Sequence, residues 1–107
     1  MNNHKINFDA IEWISGGTGK RYKVFIHGNQ RSRLVEYSYG FVEQNWCTLA
    51  HAGIVLEGGF SISFNGNVER FDKGDVIFIP SGESDKHKAI LAKDEKVTLL
   101  LFESINN

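Results

Sequence analysis

The chain has 107 residues, which predicts one compact domain, since single domains cluster at about 100–150 residues. Twelve Lys and Arg against thirteen Asp and Glu leave a formal charge of -1, so no summed positive field is expected to hold a nucleic-acid backbone. Hydrophobic residues at 41% and charged residues at 23% are the balance of a soluble domain with a core, which excludes a disordered chain.

In chain order, Asp9 and Glu12 interrupt the apolar stretch a signal peptide needs, so export by that route is not expected, and only Ile6 to Ile14 reads as a short helix. Gly16-Gly17-Thr18-Gly19-Lys20 has the residue types of a phosphate loop without its spacing or its following helix, and reads as a flexible loop. Tyr22, Val24 and Ile26 alternate with Lys23, Phe25 and His27 up to Gly28-Asn29, and Leu34 to Tyr39 is a second run closed by Gly40; both read as strands. Arg31 and Arg33 either clamp a carboxylate or phosphate with their guanidinium forks or lie as charges on a solvated strand edge. Tyr37, Tyr39 and Phe41 suit a barrel mouth, a plain core or a subunit contact.

Gly53 to Leu56 is a third run, which Gly58-Gly59 is expected to break before Phe60, Ile62 and Phe64 alternate with Ser61 and Ser63. Asn65-Gly66 supplies the positive φ angles of a two-residue hairpin turn, with Val68 to Phe71 as the returning strand. Val76 to Ile79 is apolar at every position and predicts a central strand covered on both faces. Pro80 to Ser84 is a loop by composition, Val97 to Glu103 is the last strand, and Ile105-Asn106-Asn107 reads as a frayed tail. The apolar stretches Val76–Pro80 and Val97–Phe102 fall far short of the roughly 20 residues needed to cross a bilayer, so no membrane partner is expected. Cys47, the single cysteine, has no internal disulfide partner, which favours a reducing compartment and predicts a cytoplasmic protein. About eight short strands predict an all-β sandwich or barrel.

The ordered set Ile54-Val55-Leu56-Glu57-Gly58, the Asn65-Gly66 hairpin, and Gly74-Asp75-Val76-Ile77-Phe78-Ile79-Pro80-Ser81-Gly82 resembles the conserved motifs of the cupins. The resemblance implies a single-domain jelly-roll β-barrel, a double-stranded β-helix, with the cupin core over residues 34–103 of the one domain 1–107. Many cupins hold a divalent metal with a His-x-His pair, a Glu and a further His. Aligned on Gly58 and Gly82, those positions fall at Gln44, Trp46, His51 and Asp85, none of the usual type, so that four-residue site is not inherited.

His51 remains a candidate metal ligand or general base, or else a hydrogen-bonded barrel histidine. Asp85 and His87 share a face if the backbone there is extended, so one of them can join His51; Lys86 and Lys88 suggest instead a solvated rim. Cys47, four residues before His51, completes a soft Cys/His set suited to Zn²⁺ or Fe²⁺, or is a buried apolar residue. Trp46 pointing inward would block an ion and give an organic ligand a flat wall; pointing elsewhere it is a core or interface aromatic.

The expected ligand-binding set is therefore Gln44, Trp46, His51, Asp85 and His87, and the expected metal set is His51, His87 and Cys47 with Zn, Fe, Ni or Mn. Two functions follow. The first is a small cupin that binds a small polar metabolite in its barrel. The alternative is a metal-dependent isomerase or dioxygenase-like enzyme built on His51 and His87 with Cys47 or Asp85. The resemblance also implies a homodimer, for which the aromatic stretch from Tyr37 to Trp46 is suited.

Overall fold

A computed structural model describes residues 4–105, so the tail expected at the C-terminus falls, at Asn106 and Asn107, outside the described residues. Eight strands follow one another: β1 (Ile14–Ser15), β2 (Lys20–His27), β3 (Gln30–Ser38), β4 (His51–Phe64), β5 (Asn67–Asp72), β6 (Val76–Ile79), β7 (Lys88–Ile90) and β8 (Lys96–Ser104). Among the described residues there is no α-helix. The expected helix over Ile6–Ile14 shrinks to a single 3₁₀ turn, Phe8–Ala10, capped by the Asn7 side chain, and a second such turn spans Glu83–Asp85.

All the pairings are antiparallel, and β4 belongs to two sheets. Its first half pairs with β8 and β6, and so closes the sheet β1-β2-β3-β8-β4. Its second half lies between β5 and β7. The core fills the space between these two faces, and its members alternate along the strands as half-buried strands require: Val97, Leu99 and Leu101 on β8, Val35 on β3, Val55, Phe60 and Ile62 on β4. Full burial of each such side chain contributes about 1.5–3 kcal/mol, which is what sets the register of the long strands.

Gly58-Gly59 does not end a strand, as the composition had suggested. The strand runs on through a bulge between Val55 and Glu57, and Gly58 takes φ +73° where β4 bends from one sheet into the other. A Cβ at Gly58 would lie 1.9 Å from the Lys96 carbonyl oxygen, so the close approach of β8 at the bend admits only glycine. The Asn65-Gly66 hairpin forms as read, with φ of 42° and 110° at its two turn residues.

Val76–Ile79 departs from its reading. It is a strand, but it pairs with β4 alone among the described residues and alternates, with Ile77 and Ile79 buried while Val76 and Phe78 stand 72% and 77% exposed. A run of four apolar residues satisfies a one-sided strand as well as a two-sided one, and only the arrangement of neighbours separates them. Arg31 and Arg33 are likewise not on an edge, because β3 lies between β2 and β8.

Candidate functional site

Cys47 precedes β4 and pairs across to His87, just ahead of β7, in an isolated antiparallel bridge: each backbone N–H donates to the other residue's carbonyl, at 2.9 and 3.0 Å. Directly opposed residues of such a pair project their side chains to the same side. His51, the first residue of β4, faces Ile79 of β6 and enters the same space. The ligand atoms of Cys47, His51 and His87 consequently all lie within 4.8 Å of one another.

The two imidazoles stand edge to face, 5.1 Å between centroids, and each is held through its Nδ1. His87 Nδ1 lies 3.0 Å from the Asp85 carbonyl oxygen, which can only accept, so Nδ1 carries the proton and Nε2 the lone pair. That Nε2 is buried and has no hydrogen-bond partner. His51 Nδ1 lies 2.8 Å from Glu103 Oε2 and its Nε2 lies 3.6 Å from Cys47 Sγ. A carboxylate behind one histidine and a backbone carbonyl behind the other are the outer partners that orient metal-ligating imidazoles and raise their basicity.

Glu103 is the hub behind this cluster, with its side chain only 3% exposed. Arg33 grips it with two bonds of 2.7 Å, from Nε to Oε1 and from Nη2 to Oε2, and Arg31 Nε donates to Oε1 at 2.9 Å. Burial alone would raise the carboxyl's pKa. The hydrogen bonds from His51 and Arg33, with the Arg33 charge, outweigh that and hold it at about 2. Glu103 is therefore a fixed anion and acceptor, and the two arginines do clamp a carboxylate, one belonging to the chain itself.

The cluster opens on a cavity of about 50 Å³ walled by Tyr37, Glu43, His51, Phe60, Ile62, Ile77, Ile79, His87, Ala89, Leu99 and Leu101. One oxygen of Glu43 accepts the Ala89 amide at 2.8 Å. Burial, followed by the charge of Glu43, raises the Tyr37 pKa, so its phenol stays protonated. At about 10–15 Å³ per water, the space suits an ion with a few waters or a very small ligand.

Three sequence candidates lie elsewhere. Trp46 is exposed with Lys86 and Lys88 ammonium groups 5.6 and 4.8 Å from its ring, because Cys47 takes the inward direction and alternation turns its neighbour out. Gln44 is exposed too, and its carbonyl accepts from Lys88 Nζ. Asp85 closes the three-residue 3₁₀ turn Glu83–Asp85 and lines an outer cleft with Phe64 and Asn67; the chain is extended again from Lys86, and it is His87, two residues beyond Asp85, that lines the cavity. Of the three aromatics offered for a barrel mouth, Tyr37 lines the cavity and Phe41 packs on it at 4.5 Å between centroids, while Tyr39 is exposed.

Glu103 and Glu43 are not among the candidates the sequence offers, and the carboxylate that the arginines clamp is Glu103 itself. A signal existed for the first: Glu103 has the same parity as Leu99 and Leu101, which places a carboxylate on the buried face of its strand.

No family model matches the chain, and no curated protein does. Many solved structures share its fold. KdgF from Halomonas sp. matches with a TM-score of 0.72 at 21% identity, over 92% of each chain. The polyketide cyclase RemF from Streptomyces resistomycificus matches with a TM-score of 0.81 at 16% identity, over 97% of this chain and 80% of that one. A sugar phosphate isomerase of the cupin superfamily from Silicibacter pomeroyi matches with a TM-score of 0.78 at 17% identity, over 96% and 76%. At such identities the likeness is one of fold.

Proposed function

The chain folds as a cupin, and from that premise we propose that it is a metal-dependent protein whose ion is held by Cys47 Sγ, His51 Nε2 and His87 Nε2 beside a small polar ligand. The observation that carries this reading is the buried Nε2 of His87, which has no hydrogen-bond partner and is gathered with a second oriented imidazole and a thiol. A buried nitrogen lone pair without a donor costs free energy, and a cation at the centre of the three would satisfy it. This N/S donor set suits Zn²⁺ or Fe²⁺.

When bound, such an ion supplies Lewis-acid polarisation of a ligand oxygen and an open coordination position. The chain's own residues do the rest. Ile77, Ile79, Leu99 and Leu101 give the cavity its apolar wall. Glu43, with one oxygen fixed by the Ala89 amide, is the wall carboxylate positioned to move a proton, and Tyr37 is a neutral donor beside it. Proton transfer of the isomerase kind is the reaction class these groups suit best. The solved structures that support it by fold include a sugar phosphate isomerase and a polyketide cyclase.

Elemental analysis of untagged protein purified under reducing conditions tests the reading. The expected outcome is close to one transition-metal ion per chain in the wild type and loss of most of it in His87→Ala and in Cys47→Ser. Absence of any ion after Zn²⁺, Fe²⁺, Ni²⁺ and Mn²⁺ have each been offered would overturn it and leave a metal-free binding barrel.

A further inference from the structure

Directly opposed residues of paired strands share a side, so the register places the outward side chains of the larger sheet in cross-strand rows. Lys23, Leu34, Leu100, Ile54 and Val76 form one row from β2 to β6. Phe25, Ser32, Phe102, Ala52 and Phe78 form the next. The core lies behind them, on residues of the opposite parity such as Val35, Leu99, Val55 and Ile77. From β3 to β6 neither row holds a charged residue, and Ser32 is the one polar member.

The chain covers the β2 end of this face itself. Lys23 is buried there, its Nζ donating to the Phe8 carbonyl and lying 4.9 Å from the Trp13 ring centroid. The β6 end has no such cover among the described residues, and Phe102, Val76 and Phe78 stand 53%, 72% and 77% exposed. Leu49, exposed as well, lines a cleft with Ala52 and Phe78 and extends the field. Other exposed apolar side chains do not join one: Trp46 carries two lysine ammonium groups over its ring, Val68 stands opposite Ser63 and Ile26 opposite Arg31.

A whole aromatic side chain offers about 150–250 Å², so Phe78 and Phe102 leave about 250 Å² of apolar surface to water and the field as a whole on the order of 500 Å². With a polar rim this approaches the roughly 800 Å² that one partner contributes to a stable interface, and an apolar centre is the composition of homodimer contacts. The rim at the Glu57 end carries both signs, already paired within the chain: Lys73 with Glu57, and Arg21 and Lys96 with Glu36. A second copy therefore meets neither a like-signed field nor an unpaired buried charge. An anionic membrane surface would call for uncommitted lysines or arginines around the field, and these cations are committed.

We propose that the outer face of β8, β4 and β6 docks a second copy of this chain, face to face about a twofold axis, so that Val76, Phe78 and Phe102 of both copies are buried. This surface is distinct from the stretch Tyr37 to Trp46, in which Tyr37 lines the cavity and Phe41 packs on it. The proposal is independent of the metal site.

Sedimentation velocity and light scattering on the full chain test it, through a micromolar dilution series under reducing conditions, so that Cys47 cannot link copies. The wild type is expected to show twice the chain mass and to give way to monomer only on dilution. The double variant Val76→Ser with Phe78→Ser changes two exposed positions and is expected to weaken association at least about a hundredfold, two apolar anchors being lost from each copy. Phe102→Ser is expected to weaken it in the same direction, while Val42→Ser with Trp46→Ser leaves it at the wild-type level. A wild type that stays monomeric throughout overturns the proposal without recourse to any variant. A dimer that survives the double variant overturns it, as does one lost on changing Val42 and Trp46, which would put the contact on the other surface. A mass that climbs past two chains overturns the closed twofold arrangement. Wild-type monomer that floats with vesicles of phosphatidylcholine and phosphatidylglycerol, when the double variant does not, overturns the second copy and assigns the face to a membrane.

Discussion

Glu103 shows how one buried carboxylate orders a whole site. Three donors converge on it, and its second oxygen fixes the His51 ring so that Nε2 turns toward Cys47. Its folded pKa of about 2 lies below the ordinary 4.5, so its contribution to stability is fully present above pH 4.5 and is lost as pH falls toward 2. In chelator-treated protein this amounts to about 3 kcal/mol across that window, to be read from urea denaturation at stepped pH. Glu103→Gln is expected to flatten that slope. It should also destabilise the protein at neutral pH by about 3 kcal/mol, since Arg33 keeps its buried charge and loses its counterion. A variant whose acid slope matches the wild type would assign the effect to other carboxylates.

The long strand β4 is the element that turns a flat pattern into a barrel. Its first half carries His51 toward the cavity, its second half carries Phe60 and Ile62 into the core, and the bulge at Val55 to Glu57 with the positive φ at Gly58 changes its direction between them. Gly58→Ala must strain both the backbone angle and the contact with the Lys96 carbonyl, and is expected to cost about 2 kcal/mol or more. Thermal unfolding of the variant checks this, and a melting temperature within a degree or so of wild type would mean that the bend tolerates a side chain. The hairpin after β4 was plain from Asn65-Gly66 because its turn chemistry is local. The exposure of Phe78 was not, because it depends on which strands lie beside β6.

At the scale of the whole molecule, the proposed ion should couple binding to folding, since its three ligands come from segments that only the folded chain unites: Cys47 before β4, His51 at its start and His87 before β7. An ion at one hundred times its Kd adds roughly 2.7 kcal/mol to the stability of the wild type, and its removal by a chelator should lower the melting temperature accordingly. The same chelator should leave the Cys47→Ser and His87→Ala variants unmoved; an equal shift in all three proteins would place the stabilising ion elsewhere. The residues that determine the fold class speak through patterns a few positions long. Alternation, turn dipeptides and the spacing of Gly74, Pro80 and Gly82 report local backbone geometry, and so they are readable in the chain alone. Cys47, His51 and His87 could likewise be picked out as candidates by residue type. Which of Asp85 and His87 reaches the interior, that Trp46 turns outward, and that Glu103 and two arginines stand behind His51 were decided by the tertiary structure. Each depends on where a turn returns the chain to extended backbone, or on pairing between strands some 70 residues apart in sequence, as Arg33 and Glu103 are. A single-residue shift reverses the face a side chain occupies, and no pattern within one strand records it.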